Sequence, residues 1–256
     1  MNALESLGYS SFEFEAVSGK GQDISHPIYC AGDGPVLLLL QEMPGIGPEM
    51  IRLAERFRRE GFQVYIPHLF GPLGEVDRVR NGMRILCMRK EFALFSSGET
   101  SPITAWLRAL VATISERSQF SKMGVIGMCL TGNFALSLMT EAPVYAAVAS
   151  QPSLPVHRHD VVHMNAADIE ALREAIDQKG DVHAYRFAND PMCTATRFNA
   201  LDTALNEPKK QRIGLHTLPG IGHAVLTLNL VDQEGHPTHQ ALESVVEYFR
   251  RRLQST

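Results

Sequence analysis

Two short, wholly apolar runs, each followed by a helical pattern, constrain the fold of this chain more than any other feature. The run Val36–Leu40 reads VLLLL and leads to a helical pattern that begins at Pro48. The run Met123–Met128 reads MGVIGM and leads to a helical pattern from Thr131 onward. Strands without polar alternation are buried on both faces, which is typical of a parallel sheet covered by helices. Proline also suits the first turn of a helix.

The same alternation of strand and helix continues along the chain. Strand patterns cover Tyr145–Ser150, His183–Asn189 and Arg212–Leu218, and a helix with an Asn165 N-cap is predicted between the first two. Repeated units of this kind indicate a doubly wound, mainly parallel α/β sheet with helices on both faces. The sequence shows no linker, repeat or low-complexity tract, so we predict one α/β domain over residues 1–256.

Charge and cysteine usage limit the classes of partner. A net charge of -4 gives no electrostatic reason to expect nucleic acid or an anionic membrane. The longest aliphatic run is too short to span a bilayer, and the N-terminus lacks the pattern of a secretory signal. Four widely spaced cysteines, without a CxxC pair, favour reduced thiols over disulfides or a zinc site. We therefore predict a cytoplasmic protein, monomeric or weakly self-associating, with a small-molecule substrate and no metal or cofactor.

The segment GVIGMCLTG places Cys129 where the second apolar run gives way to its helix. A nucleophile elbow needs small residues two before and two or three after the reactive residue, because the strained turn has no room for side chains. Gly127 and Gly132 satisfy this spacing, whereas Thr131 is larger than the usual glycine. A buried core thiol is the competing interpretation. The position at a helix N-terminus favours the nucleophile, because helix N-termini stabilise thiolates and developing oxyanions.

An elbow of this class takes its acid, and then its histidine, from loops after later strands. Asp190 and His223 follow the next two suitable strand patterns in that order. Asp181 lies at the opposite end of its strand, and Asp202 lies within a predicted helix. Asp190 could instead cap a turn, and His223 could be a solvated loop residue. The order of the candidates favours a triad in which His223 takes the proton of the Cys129 thiol and Asp190 orients the ring.

An acyl transfer site also needs backbone N–H groups that stabilise the oxyanion. The N–H of Leu130, directly after the nucleophile, is the first candidate, and the N–H of Met43, after the VLLLL strand, is the second. Such a donor typically lowers the barrier by about 3 kcal/mol.

In these segments the chain resembles the dienelactone hydrolase family of α/β-hydrolases. The similarity covers most of the chain from about Pro35 onward, through the segments VLLLLQEMPGIGPEM, GVIGMCLTGNFAL, RFANDPMCTATRF and LPGIGHAVLT in family order. It implies a triad of Cys129, Asp190 and His223. It also implies that Glu42 contacts the resting cysteine until substrate displaces it. Without the resemblance, Glu42 could be an exposed loop carboxylate.

The chain departs from well-known family members around the expected substrate pocket. Met128 and Pro44 replace aromatic residues, and Ala224 follows the histidine where those members carry a hydroxyl residue that helps bind the substrate carboxylate. Arg89 is an alternative carboxylate anchor or an ordinary surface arginine. None of these departures involves the predicted triad.

We therefore expect a hydrolase that cleaves a small lactone or carboxylic ester through a thioacyl-enzyme on Cys129. Two other functions stay open, namely a catalytically silent binding protein of the same fold and a redox-sensing thiol protein. The complete set of ordered candidates argues against the first. The lack of a resolving cysteine nearby in sequence argues against the second, although Cys193 could approach Cys129 in space.

Overall fold

The computed structural model describes residues 2–17, 21, 23–74 and 103–254. Within these ranges, eight strands form one sheet. The strands are β1 (Ser10–Val17), β2 (Asp23–Ala31), β3 (Val36–Leu40), β4 (Gln63–Pro67), β5 (Met123–Met128), β6 (Val144–Ser150), β7 (Val182–Phe187) and β8 (Ile213–Leu218).

Six α-helices accompany these strands in the described part of the chain. They are α1 (Pro48–Arg59), α2 (Ile103–Arg117), α3 (Gly132–Leu138), α4 (Ala166–Lys179), α5 (Ala195–Leu205) and α6 (Pro237–Gln254). None of the helices in the described ranges has both the length and the apolar character needed to cross a bilayer.

The sheet has the order β1-β2-β4-β3-β5-β6-β7-β8. The pairs β1–β2 and β2–β4 are antiparallel, and every other neighbouring pair is parallel. Strand β3 lies near the centre and is wholly buried. Its alternate leucines point to opposite faces, so that Leu38 joins the core around Trp106 and Leu37 joins the core around Phe249. The predicted mainly parallel sheet, in which β3 is buried on both faces, is confirmed.

Local signals account for several helix ends. Pro48 is the first residue of α1, and Gly61, just past its end, has a φ of 87° that a glycine adopts without strain. Asn165 caps α4, where its side chain accepts a hydrogen bond of 2.8 Å from the N–H of Asp168. The sequence also predicts a helix cap at Ser101, which lies outside the described residues.

Strand β2 was not predicted from the sequence. It contains Pro27, and an internal proline argues against a central strand. It is nevertheless paired on both sides, with β1 and with β4.

The parallel register brings the candidate site residues to one edge of the sheet. Leu40 of β3 pairs with Gly127 of β5, so the segments that follow these strands leave the sheet side by side. Strands β7 and β8 end at the same edge, because they run parallel to β5 and β6.

Helix α6 packs back onto β5 and β6. The prediction of a single domain over the whole chain stays a prediction.

Candidate active site

Cys129 lies on a strained turn between β5 and α3. Its φ is 53°, in the left-handed region that residues with a Cβ rarely adopt. A Cβ on Gly127 would lie 2.2 Å from the carbonyl oxygen of Thr131, and a Cβ on Gly132 would lie 2.9 Å from Cα of Pro152. Both distances are too short for any side chain, which explains why glycine occupies the two positions that the elbow pattern requires.

Thr131, which departs from the usual glycine, connects the elbow to the end of β3. Its side chain is fully buried, and its Oγ1 accepts a hydrogen bond of 2.9 Å from the N–H of Met128. The same hydroxyl lies 3.0 Å from the carbonyl oxygen of Gln41 and 3.2 Å from that of Leu40. The threonine therefore holds together the two strand ends from which the candidate oxyanion donors emerge.

Asp190 and His223 form a close pair in the loops after β7 and β8. The Oδ2 atom of Asp190 lies 2.8 Å from Nδ1 of His223, and the Asp190 side chain has no solvent exposure. Asp190 also accepts hydrogen bonds from the N–H groups of Met192 and Cys193, at 2.8 and 2.9 Å. The N–H of His223 donates to Oδ1 of Asn229 at 3.0 Å. The Asp190 carboxylate and the His223 backbone are thus each held by hydrogen bonds besides the one that joins the two side chains.

The electrostatics of the pair favour an imidazolium. Burial by itself lowers the pKa of His223, but its hydrogen bonds with Asp190 and with the Cys129 sulfur raise that pKa to about 10. Burial raises the pKa of Asp190, but the hydrogen bonds from His223 and from the nearby backbone N–H groups bring it below the usual value. Asp190 is therefore ionised at neutral pH. The His223 ring, between Asp190 and Cys129, is in its protonated form.

Glu42 is buried rather than exposed on a loop. The Thr227 hydroxyl donates to its Oε1 atom, and Nε2 of Gln151 donates to its Oε2 atom at 2.9 Å. Burial raises the pKa of Glu42, against the opposing effects of Thr227, His223 and Gln151. The hydrogen bonds of this carboxyl group in the structure are thus with Thr227 and Gln151, whereas the resemblance implied a contact with Cys129.

Gln151 connects three parts of the site. It is fully buried and has a φ of 38°. Its N–H donates to the carbonyl of Tyr185 at 2.7 Å, and its Oε1 accepts from the hydroxyl of Ser150 and from the N–H of Val225 at 3.3 Å. Sequence reasoning missed Gln151 as a site residue. Its partner Glu42 is 109 positions away, so no local pattern reveals the contact.

Ser153, which sequence reasoning also missed, contacts both the elbow and the histidine. Its N–H donates to the carbonyl of Cys129 at 3.0 Å. Its hydroxyl donates to the carbonyl of Gln151 at 2.9 Å and lies 3.4 Å from Nε2 of His223. The segment SQPSLP, which begins at Ser150, therefore supplies a polar wall of the site.

The candidate oxyanion donors follow adjacent strands. Leu130 is directly after Cys129 in a short 3-10 turn, where the first N–H groups of a helix lack intrahelical acceptors. Met43 follows β3 and lines a cleft of about 640 Å³ together with Glu42 and His223. The proposed carboxylate anchor, Arg89, lies outside the described residues.

A second cleft, of about 610 Å³, lies between α4 and α5. Its lining includes Met164, Ile169 and Thr203 but none of the candidate site residues. The described residues contain no group of three or more His, Cys, Asp or Glu side chains arranged to hold a metal ion.

The sheet order and the elbow, followed along the chain by a paired acid and histidine, define the class of α/β-hydrolases. The sequence profile of the dienelactone hydrolase family matches residues 27–253. The chain belongs to this family and is a hydrolase. No curated protein matches the chain significantly.

Solved structures share the whole fold at low sequence identity. A candidate dienelactone hydrolase from Klebsiella pneumoniae subsp. pneumoniae is 18% identical, with a TM-score of 0.65 and coverage of 94% of this chain and 99% of that chain. Dienelactone hydrolase from Anabaena variabilis is 15% identical, with a TM-score of 0.60 and coverage of 96% and 99%. A dienelactone hydrolase-like promiscuous phosphotriesterase from metagenomic libraries is 15% identical, with a TM-score of 0.65 and coverage of 95% and 99%. At these identities the matches show a common fold.

Proposed function

We propose that the chain hydrolyses a small lactone or carboxylic ester, with Cys129 as the nucleophile, His223 as the acid and base, and Asp190 as the residue that orients His223. The proposal rests on the contacts that the candidate triad residues make at one edge of the sheet. Asp190 holds Nδ1 of His223 at 2.8 Å, and Ser153 contacts both the carbonyl of Cys129, on its strained turn, and Nε2 of the same ring, so the elbow and the histidine lie side by side. This is the arrangement of a nucleophile, a base and a residue that orients the base.

The first half of the reaction acylates the enzyme. The Cys129 thiolate attacks the carbonyl carbon, and the C–S bond forms as the C=O π electrons move to oxygen. When the tetrahedral intermediate collapses, the C–O bond to the leaving group breaks, and His223 transfers its Nε2 proton to the departing alkoxide. For a lactone, that alkoxide stays attached to the acyl group. The product is a thioester on Cys129 with a neutral imidazole beside it.

The second half releases the acyl group. Water attacks the thioester carbon and transfers a proton to His223, and the C–S bond then breaks to restore the thiolate and the imidazolium. The carboxylic acid leaves as the product. In both halves, the N–H groups of Leu130 and Met43 are the proposed donors to the oxyanion, each contributing about 3 kcal/mol.

Cys193 argues for a hydrolase rather than a redox sensor. It is fully buried, and burial raises the pKa of its thiol, so it is a poor source of the thiolate that would resolve an oxidised Cys129. Cys30, Cys129 and Cys193 are free thiols in the structure. The cytoplasmic location, the monomeric or weakly self-associating state and the absence of nucleic acid and membrane partners stay predictions.

A screen of lactones and p-nitrophenyl esters with matched variants tests the proposal. We expect Cys129→Ala and His223→Ala each to lower turnover by at least about 10⁴-fold, because residues that act as one unit are each indispensable. Asp190→Asn should have a milder or comparable effect. Cys30→Ala, which removes a partly buried thiol from β2, should keep wild-type activity. Wild-type turnover by Cys129→Ala on every hydrolysed substrate would show that the nucleophile assignment is wrong.

A further inference from the structure

Ser153 contacts the ring nitrogen of His223 that must exchange protons in the proposed reaction. The residue is 5% exposed, and its Oγ lies 3.4 Å from Nε2 of His223. Resting enzymes often show catalytic hydrogen bonds that are longer than those formed during reaction. We infer that Ser153 is a positioning residue that stabilises the His223 imidazolium during hydrolysis of the acyl-enzyme. This inference rests on the proposed function.

The hydrogen bonds of Ser153 fix the direction of its bond to the histidine. A serine hydroxyl has one proton to donate, and that proton goes to the carbonyl of Gln151 at 2.9 Å. The oxygen can therefore only accept from His223. Because Nδ1 of His223 is held by Asp190, Ser153 accepts from a protonated Nε2. It thus favours the ring with both nitrogens protonated, which is the imidazolium.

The segment that carries Ser153 is held rigidly against the elbow. The N–H of Ser153 donates to the carbonyl of Cys129 at 3.0 Å. The next two residues, Leu154 and Pro155, are held by the buried side chain of Arg197. It donates to both of their carbonyls, to that of Pro155 at 2.8 Å. Such pre-organisation means that the hydroxyl does not need to reorient when charge develops on the ring.

Stabilisation of the imidazolium has opposite consequences in the two halves of the reaction. In acylation, the imidazolium is present at the start, next to the thiolate, and its charge is lost as the leaving group takes the proton. In deacylation, the charge appears as the water loses its proton. Only an interaction that is stronger in the transition state than in the ground state accelerates a step. Ser153 should therefore accelerate deacylation and not acylation.

Acylation also changes the sulfur. In the proposed acylation step, the attacking Cys129 thiolate is an anionic partner of His223. In the acyl-enzyme, the sulfur is part of a thioester, carries no charge and accepts hydrogen bonds weakly. The imidazolium that forms as water attacks then has the Ser153 oxygen as its partner on the Nε2 side until the C–S bond breaks.

Stopped-flow hydrolysis of a p-nitrophenyl ester by wild type, Ser153→Ala and Ser153→Thr tests this inference. The activated leaving group makes acylation fast, so the two steps separate. We expect Ser153→Ala to lower kcat about tenfold, the size of effect typical for a hydrogen bond to a charged group. KM should fall in parallel, so that kcat/KM stays within about twofold of wild type. An enzyme-equivalent burst of p-nitrophenolate and a Cys129 acyl adduct in the intact mass should accompany the slow phase. Ser153→Thr keeps the hydroxyl and should restore rapid turnover.

The burst phase provides an internal control for folding, because a misfolded variant would lose acylation as well. Equal losses in kcat and kcat/KM, without a burst and without rescue by threonine, would show that Ser153 only supports the loop. An unchanged deacylation rate in Ser153→Ala would overturn the inference while the Cys129 adduct, seen in the same sample, still supports the proposed function. Failure of the proposed function itself has a different signature, namely turnover without any adduct on Cys129 in the wild type.

Discussion

Replacing Thr131 by valine removes one hydroxyl and leaves the shape of the side chain almost unchanged. The hydroxyl accepts from the N–H of Met128 at 2.9 Å and lies 3.0 Å from the carbonyl oxygen of Gln41. The side chain has no solvent exposure. Water therefore cannot replace the lost acceptor unless the elbow opens.

The expected cost follows from these contacts. A buried donor left without an acceptor costs about 1–3 kcal/mol, and the hydrogen bond that the hydroxyl donates contributes about 1 kcal/mol. Thr131→Val should therefore lower the free energy of unfolding by about 2–4 kcal/mol. In a protein of this size each kcal/mol corresponds to roughly 2–4 °C in Tm, so a fall of roughly 4–16 °C is expected.

Urea unfolding followed by tryptophan fluorescence measures the effect, because the chain has a single tryptophan and Trp106 is fully buried. Thr131→Ser is the matched control, since it keeps the hydroxyl and loses one methyl group, at a cost of about 0.5–1.5 kcal/mol. We also expect a loss of kcat of at least about tenfold in the valine variant, because the elbow and the end of β3 are no longer fixed to each other. Equal stability of the two variants within about 0.5 kcal/mol would refute the reasoning.

Two further predictions concern pH. Burial raises the pKa of Glu42 above its value of 4.5 in the unfolded chain, so its contribution to stability is complete below pH 4.5 and is lost as pH rises through the native pKa. Glu42→Gln should remove this loss of stability between pH 5 and pH 8, measured by unfolding titrations at the two pH values. The same variant should shift the pH profile of Cys129 alkylation by iodoacetamide. Nδ1 of His183 lies 3.0 Å from Nε2 of His216. Burial lowers the pKa of His183 from 6.5 to about 4. Its contribution to stability is complete above pH 6.5 and falls towards pH 4, so His183→Gln should flatten the acid side of the stability profile, measured by Tm.

The parts of the fold that could be predicted are those with a local cause. Five consecutive apolar residues in β3 predict a strand buried on both faces, because no polar side chain needs an exposed face. The elbow could be located because two glycines at fixed spacing are the only residues that fit beside Thr131 and Pro152. Strand β2 was missed because Pro27 argues against a strand with neighbours on both sides.

In the candidate site, too, some residues could be predicted from the sequence and others could not. Asp190 and His223 could be placed because parallel strands bring their following loops to one edge of the sheet. The side chains around Glu42 could not be placed, because its hydrogen bond with Thr227 joins residues 185 positions apart. Thr131 was interpreted only as a departure from glycine, since nothing in the segment indicates that its hydroxyl would bond to the end of another strand.

The carboxyl groups of Asp190 and Glu42 lie in different surroundings, and these surroundings give them different roles in the site. Asp190 accepts from His223 and two backbone N–H groups, and these bonds lower its pKa despite burial. Glu42 is buried with two neutral donors, Thr227 and Gln151, and its pKa is raised. Environments that push two pKa values apart assign different tasks to chemically similar groups. The ionised Asp190 can hold an imidazolium, whereas the raised pKa of Glu42 disfavours a second negative charge in the site. This difference supports Asp190 as the acid of the proposed triad.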